Sequence, residues 1–270
     1  MKKVWLGSSW KMNKTEAEVV EYCRSIAPQL SNIRHELQTF LIPPFPYVKQ
    51  VGTLLAQTPC LTGVQNIGWA EQGALTGEVS ANMAKDIGAT LVEIGHSERR
   101  QWFGECNETV NKKVILSLKA GLVPLICVGD SAEEKRWGVS AESIVRQVKI
   151  ALYDVEPADI TKVMIAYEPV WAIGEGGSPA SAQEAEAGMS AIRTALTSCY
   201  GAEIAQRIPL LYGGSVNLDN AQVLITQPNI DGLFVGRTAW QAEGFARLIE
   251  LVSEVMISEE QVTGGGAYAT

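Results

Sequence analysis

The chain is poor in the residues that build disulfide frameworks and metal centres. Its five cysteines, Cys23, Cys60, Cys106, Cys127 and Cys199, are odd in number and widely spaced without a CxxC pair, and it has only two histidines, His35 and His96. That pattern speaks against a disulfide scaffold and a zinc site, and it fits a reducing cytoplasm. Long apolar runs are missing, so no membrane span is expected. After Lys2 and Lys3 the run Val4-Trp5-Leu6 stops at Gly7, too short for a signal-peptide core. Basic residues are outnumbered 22 to 30, and the formal net charge of -8 leaves little unspecific attraction to nucleic acid or anionic membranes. Affinity for phosphate would have to come from a local site, and a small anionic substrate is compatible with the charge. No GxGxxG follows an early strand, so an open dinucleotide-binding sheet lacks its fingerprint.

What is present is repetition. Eight short apolar runs end in turn residues: Val4 to Gly7, Thr39 to Ile42, Leu61 to Val64, Leu91 to Gly95, Val123 to Val128, Val163 to Tyr167, Pro209 to Tyr212 and Gly232 to Val235. Between most of them lie stretches of helical period, Glu16 to Ile26, Asn107 to Ala120, Ala141 to Leu152, Ser181 to Cys199, Asn220 to Ile225 and Glu243 to Met256. This is the pattern of repeated βα units. With 270 residues, 46% apolar and 19% charged, the chain suits one closed (β/α)8 barrel, a fold of roughly 250 residues. The expected division is a barrel over 1–257 and an aperiodic, frayed tail over 258–270. Ser181 with Glu184 forms a capping-box pattern, and Asp219 is placed to cap the helix opening at Asn220.

In such a barrel the chemistry sits where strands end. After the first strand, Lys11 stands between large apolar residues and suits an anion, although a surface lysine reads equally well from the local sequence. After the fourth comes His96-Ser97-Glu98, where a helix opening would favour a neutral imidazole able to donate one N–H to a substrate carbonyl. A structural role is the commoner fate of a lone histidine; position favours the site here, while His35 reads as a surface residue. After the sixth comes Glu168, beside apolar side chains able to exclude water, a setting for a general base. Pro169, the apolar Val170 to Ile173 and the glycines after them have the make-up of a hinged lid, with a static loop as the alternative. Gly213-Gly214-Ser215 and Gly236-Arg237 follow the last two strands. Their backbone N–H groups can converge on phosphate, or they can simply make tight turns.

Five blocks in order, Trp10-Lys11-Met12-Asn13, residues 73–80, 95–100, 166–174 and 211–216, resemble the signatures of triosephosphate isomerase over about residues 4 to 256. In that family a glutamate base and a neutral histidine electrophile are the established pair. The resemblance makes Glu168 the proton-shuttling base, His96 the electrophile and Lys11 the electrostatic partner of the enediolate. It gives Glu98 the task of steadying the lysine and Cys127 a buried place near the base. Phosphate would be held around Gly174, Ser215, Gly236 and Arg237, with Tyr212 and Ser215 latching the closed lid. The Thr76 block would insert into a neighbouring subunit, implying a homodimer. No metal or organic cofactor is implied.

The departures from the family pattern concern the rim of the pocket. Ser9 stands where asparagine is usual, Arg237 where a second glycine is usual, and Asp130 where glutamate is usual; the lid tip reads Glu175-Gly176-Gly177. These resemble a branch that isomerises erythrulose phosphates. The favoured substrate is therefore erythrulose 1-phosphate, converted to erythrulose 4-phosphate through a cis-enediol. The alternatives are dihydroxyacetone phosphate as substrate, and a non-catalytic phosphosugar-binding barrel.

Overall fold

The computed structural model describes residues 3–173 and 179–264, with side chains to residue 258. Its eight strands are β1 (Val4–Ser9), β2 (Leu37–Ile42), β3 (Leu61–Val64), β4 (Leu91–Ile94), β5 (Val123–Val128), β6 (Met164–Tyr167), β7 (Leu210–Tyr212) and β8 (Gly232–Val235). Every neighbouring pair is parallel, in sequence order, and β1 closes the ring against β8 with Trp5 opposite Gly232 and Ser8 opposite Val235. The eight apolar runs thus form one barrel. A closed ring leaves no strand edge unpaired, and helices cover its outer face.

Alternation along the strands divides the core in two. Phe40, Ile42, Leu91, Leu125, Cys127, Met164, Ala166, Leu211 and Phe234 pack together inside the barrel. Residues of opposite parity, such as Leu41, Val92, Ile126 and Val235, pack outward with the helices. The interior is therefore filled with side chains, and the site can only be at its rim.

The helices agree in place with the apolar periodicity but differ at their ends. The first runs Glu16–Ser31, through Pro28, because Leu30 remains fully buried one turn beyond Ile26. The last, Ala242–Gly264, continues past Met256 into the segment expected to fray, and residues 265–270 of that tail lie outside the described residues. The capping box at Ser181 forms, with the Glu184 N–H donating to the Ser181 hydroxyl at 3.2 Å. Asp219 does not cap Ala221–Ile225. Asn217 does this from four residues upstream, its carbonyl accepting from Ala221 and its side-chain oxygen from the Asp219 and Asn220 N–H groups. Among the described residues no helix is long and apolar enough to cross a membrane.

Candidate active site

At the carboxyl ends of the strands lies a cavity of about 500 Å³, lined by Ser9, Lys11, His96, Glu98 and Glu168 and by the loops 213–217 and 234–238. Residues as distant in sequence as Lys11 and Glu168 meet there because each follows the carboxyl end of a strand of the same closed barrel. The strands set the directions of these side chains. β1 extends to Ser9, two residues beyond the apolar run, so Ser9 belongs to a strand and shares its face with Trp5 and Gly7. Its carbonyl accepts from the Trp240 indole at 3.0 Å.

Lys11 follows in a left-handed backbone conformation, φ 54°, that a non-glycine residue adopts at a cost. Gln65 holds the turn by donating to the Lys11 carbonyl at 2.8 Å and to that of Ile42 at 3.2 Å. The Lys11 ammonium donates to Glu98 at 2.6 Å, so Glu98 holds the lysine at the cavity wall. Trp10 is fully buried against Tyr22, which explains why the apolar residues flank the lysine.

His96 is reached through Gly95, whose φ of +76° favours glycine; a Cβ there would also lie 2.9 Å from the Arg100 guanidinium. His96 caps the helix Ser97–Trp102, and its Nδ1 accepts the Glu98 N–H at 3.1 Å. A ring accepting at Nδ1 carries its proton on Nε2. That N–H faces Glu168 Oε1 at 3.2 Å, while the other Glu168 oxygen accepts the Ser97 N–H at 3.1 Å. Glu168 is 2% exposed. A carboxylate and an N–H donor thus converge on one point at the cavity floor. Cys127 lies fully buried beneath; burial, and then the Glu168 and Glu93 carboxylates, push its thiol far up, so it stays protonated and inert.

Glu93 is the residue that the sequence reading passed over. It lies in β4, inside an apolar run, but shares the parity of Leu91 and so points into the barrel. Its Oε2 accepts from the Ser9 hydroxyl at 2.8 Å, and its Oε1 lies 3.8 Å from His96 Nε2. Burial pushes it up to about 7. Glu93, His96 and Glu168 offer ligand-type atoms within 4.8 Å of one another. The hydrogen bonds from Ser9 and Ser97 engage one oxygen of each carboxylate.

The sequence model of the triosephosphate isomerase family matches residues 4–252. The chain belongs to this family. It is 45% identical over 250 residues to the L-erythrulose-1-phosphate isomerase of Brucella abortus (strain 9-941), covering 92% of this chain and 96% of that protein. Proteins of the same name from Mesorhizobium japonicum and Mycolicibacterium smegmatis are 46% and 45% identical. The first covers 91% of this chain and 95% of its own; the second covers 93% and 94%.

Of the positions singled out by the resemblance, Ser9, Lys11, His96, Glu98, Glu168, Ser215, Gly236 and Arg237 line the cavity, and Cys127 and Tyr212 lie buried outside its lining. Gly174 and the lid tip lie outside the described residues. The glycines after β7 and β8 do not adopt left-handed dihedrals; Gly214 is needed because a Cβ would lie 2.2 Å from the Tyr212 hydroxyl, which is buried and has no hydrogen-bond partner among the described residues. Ser215 and Gly236 line the cavity with Arg237 beside them, and Thr238 ties the two loops by donating to the Val216 carbonyl at 2.9 Å. Asp130 accepts from Tyr167, Trp171 and Ser140, so this shorter acid anchors the first turn after Glu168. Lys135 covers the Trp171 ring at 3.2 Å, and Ile173 faces the cavity, which answers why these apolar residues are not simply exposed. His35 is exposed, as is Thr76 on its loop.

Proposed function

We propose that this chain is a sugar-phosphate isomerase that converts L-erythrulose 1-phosphate to erythrulose 4-phosphate. The observation that carries the reading is the convergence of the buried Glu168 carboxylate and the His96 Nε2–H, 3.2 Å apart, at the floor of a cavity that also holds Lys11. The names of the relatives at 43% to 46% identity support the four-carbon substrate.

Glu168 takes the proton from carbon 3, and the electron pair forms the C2–C3 double bond as the C2 carbonyl becomes an enediolate oxygen. His96 donates its Nε2–H to that oxygen, and the Lys11 ammonium offsets the developing charge. The carbon-3 hydroxyl then gives up its proton, which His96 relays to the carbon-2 oxygen, and becomes the carbonyl as Glu168 returns its proton to carbon 2. The ketone has moved by one carbon, and no atom is gained or lost. The phosphate rests against the loops of Ser215 and Gly236 with the Arg237 cation alongside, and against Gly174 on the lid side. Tyr212 and Ser215 latch the lid, the Thr76 loop joins two copies into a homodimer, and the enzyme works in the cytoplasm.

Coupled assays of the purified protein with L-erythrulose 1-phosphate and with dihydroxyacetone phosphate test the assignment. The expected result is a higher kcat/KM for the tetrulose; a preference for the triose would make the chain a triosephosphate isomerase, and turnover of neither would leave a binding barrel.

A further inference from the structure

Glu93 has no part in the proton transfer just described, yet it places a carboxylate in the barrel interior, where the neighbouring β5 places Leu125 and Cys127. Its side chain is 3% exposed and, among the described residues, pairs with no lysine or arginine. Burying a carboxylate without a lysine or arginine in contact is costly, so its one hydrogen bond points to its task. That contact is the 2.8 Å bond from Ser9; the 3.8 Å separation from His96 is too long for a hydrogen bond. Ser9 lines the cavity, whereas Glu93 stands behind it.

An ionised carboxylate can only accept, so the Ser9 hydroxyl proton is directed away from the cavity toward Glu93. The remaining lone pairs of Ser9 Oγ then face the substrate, and Ser9 acts there as an acceptor. An acceptor at the catalytic end, away from the phosphate loops, matches a ligand hydroxyl. We infer that Ser9 and Glu93 act as one unit that selects a ketose phosphate bearing a terminal hydroxymethyl group on the carbon that loses its proton, Ser9 accepting the bond from that hydroxyl and Glu93 fixing its polarity. This rests on the tetrulose-phosphate reading above and adds the residue pair that enforces it. Glu93 is a positioning residue, acting through Ser9.

The test compares kcat/KM at pH 8 for L-erythrulose 1-phosphate and for its 4-deoxy analogue, which keeps the methyl carbon but lacks the hydroxyl. Wild type is expected to prefer the hydroxylated compound by about tenfold or more, the discrimination of a site built to bond a hydroxyl. Ser9→Ala and Glu93→Val should each bring the ratio close to one, and the double variant should lower it no further, because the two residues form one unit. Glu93→Gln, nearly isosteric, keeps the question answerable if the valine variant folds poorly. It should also lower the ratio, since its amide can donate to Ser9 Oγ and compete with the substrate hydroxyl. A well-folded Glu93 variant that retains the wild-type ratio, or loses both substrates in equal measure, overturns the inference. Wild type turning over neither compound defeats the tetrulose reading itself and the inference with it, a result separable from the first.

Discussion

Two sets of buried ionisable groups, an outer one around Glu105 and an inner one of Glu93 and Glu168, are built on opposite rules. On the outer side, Glu105 accepts from Lys113 and from Arg99, each at 2.9 Å, and Lys113 also donates to Asn66 at 2.8 Å. There the carboxylate lies in direct contact with cations, as a buried ion that serves structure requires. On the inner side, among the described residues, Glu93 and Glu168 form no ion pair with a lysine or arginine; their near partners are a hydroxyl, a backbone N–H, an imidazole and the Cys127 thiol. A cation clamped to Glu168 would hold its lone pairs away from a substrate carbon. The outer group gives up reactivity for stability, and the inner group the reverse.

Breaking the outer group should have the largest effect on folding. Glu105→Gln leaves the Lys113 ammonium buried with a neutral amide, and a loss of about 3–5 kcal/mol is expected in denaturant unfolding. Activity per folded molecule should persist, because no residue of that group lines the cavity. His96→Ala, on the inner side, should instead lower kcat by about 10²–10³-fold through loss of the donor to the enediolate, with little change in unfolding free energy.

A further effect on the inner side depends on pH. Glu93 faces His96, Glu168 and Lys11 from the strand ends and loops around it, and Cys127 from β5. Burial is the leading cause that raises it from 4.5 to about 7. Between those values the folded chain holds a proton that the unfolded chain has released, so the contribution of Glu93 to stability falls as pH rises through this window. Above it the penalty is complete, of order 3 kcal/mol for a shift of that size. Glu93→Val removes the group. The Tm of the variant relative to wild type should therefore be higher at pH 8 than at pH 5; an equal difference at both would show that Glu93 does not titrate in this range.

The same contrast explains what could be read beforehand. Barrel strands buried on both faces are continuous apolar runs, so all eight stood out, and Lys11, His96 and Glu168 stood out as the polar residues after them. Glu93 was hidden because a run of four residues is judged by its average, although its parity with Leu91 was a usable sign of a charge inside the barrel. Short helices such as Val48–Leu54 and Ala81–Asp86 were missed because their stability comes from packing on the barrel and not from their own sequence. The left-handed turn at Lys11 could not be read, since lysine gives no local sign of it and Gln65 holds it from β3's end.

The central claim, that Glu168 is the base of a tetrulose-phosphate isomerase, is tested most directly by incubating wild type and Glu168→Gln with L-erythrulose 1-phosphate and following the ketose signals by NMR. The amide keeps the shape of the carboxylate but cannot accept the proton. Wild type should form erythrulose 4-phosphate, and Glu168→Gln should slow this by about 10²–10⁴-fold while inorganic phosphate still binds. Conversion by Glu168→Gln at a rate near that of wild type would contradict the account.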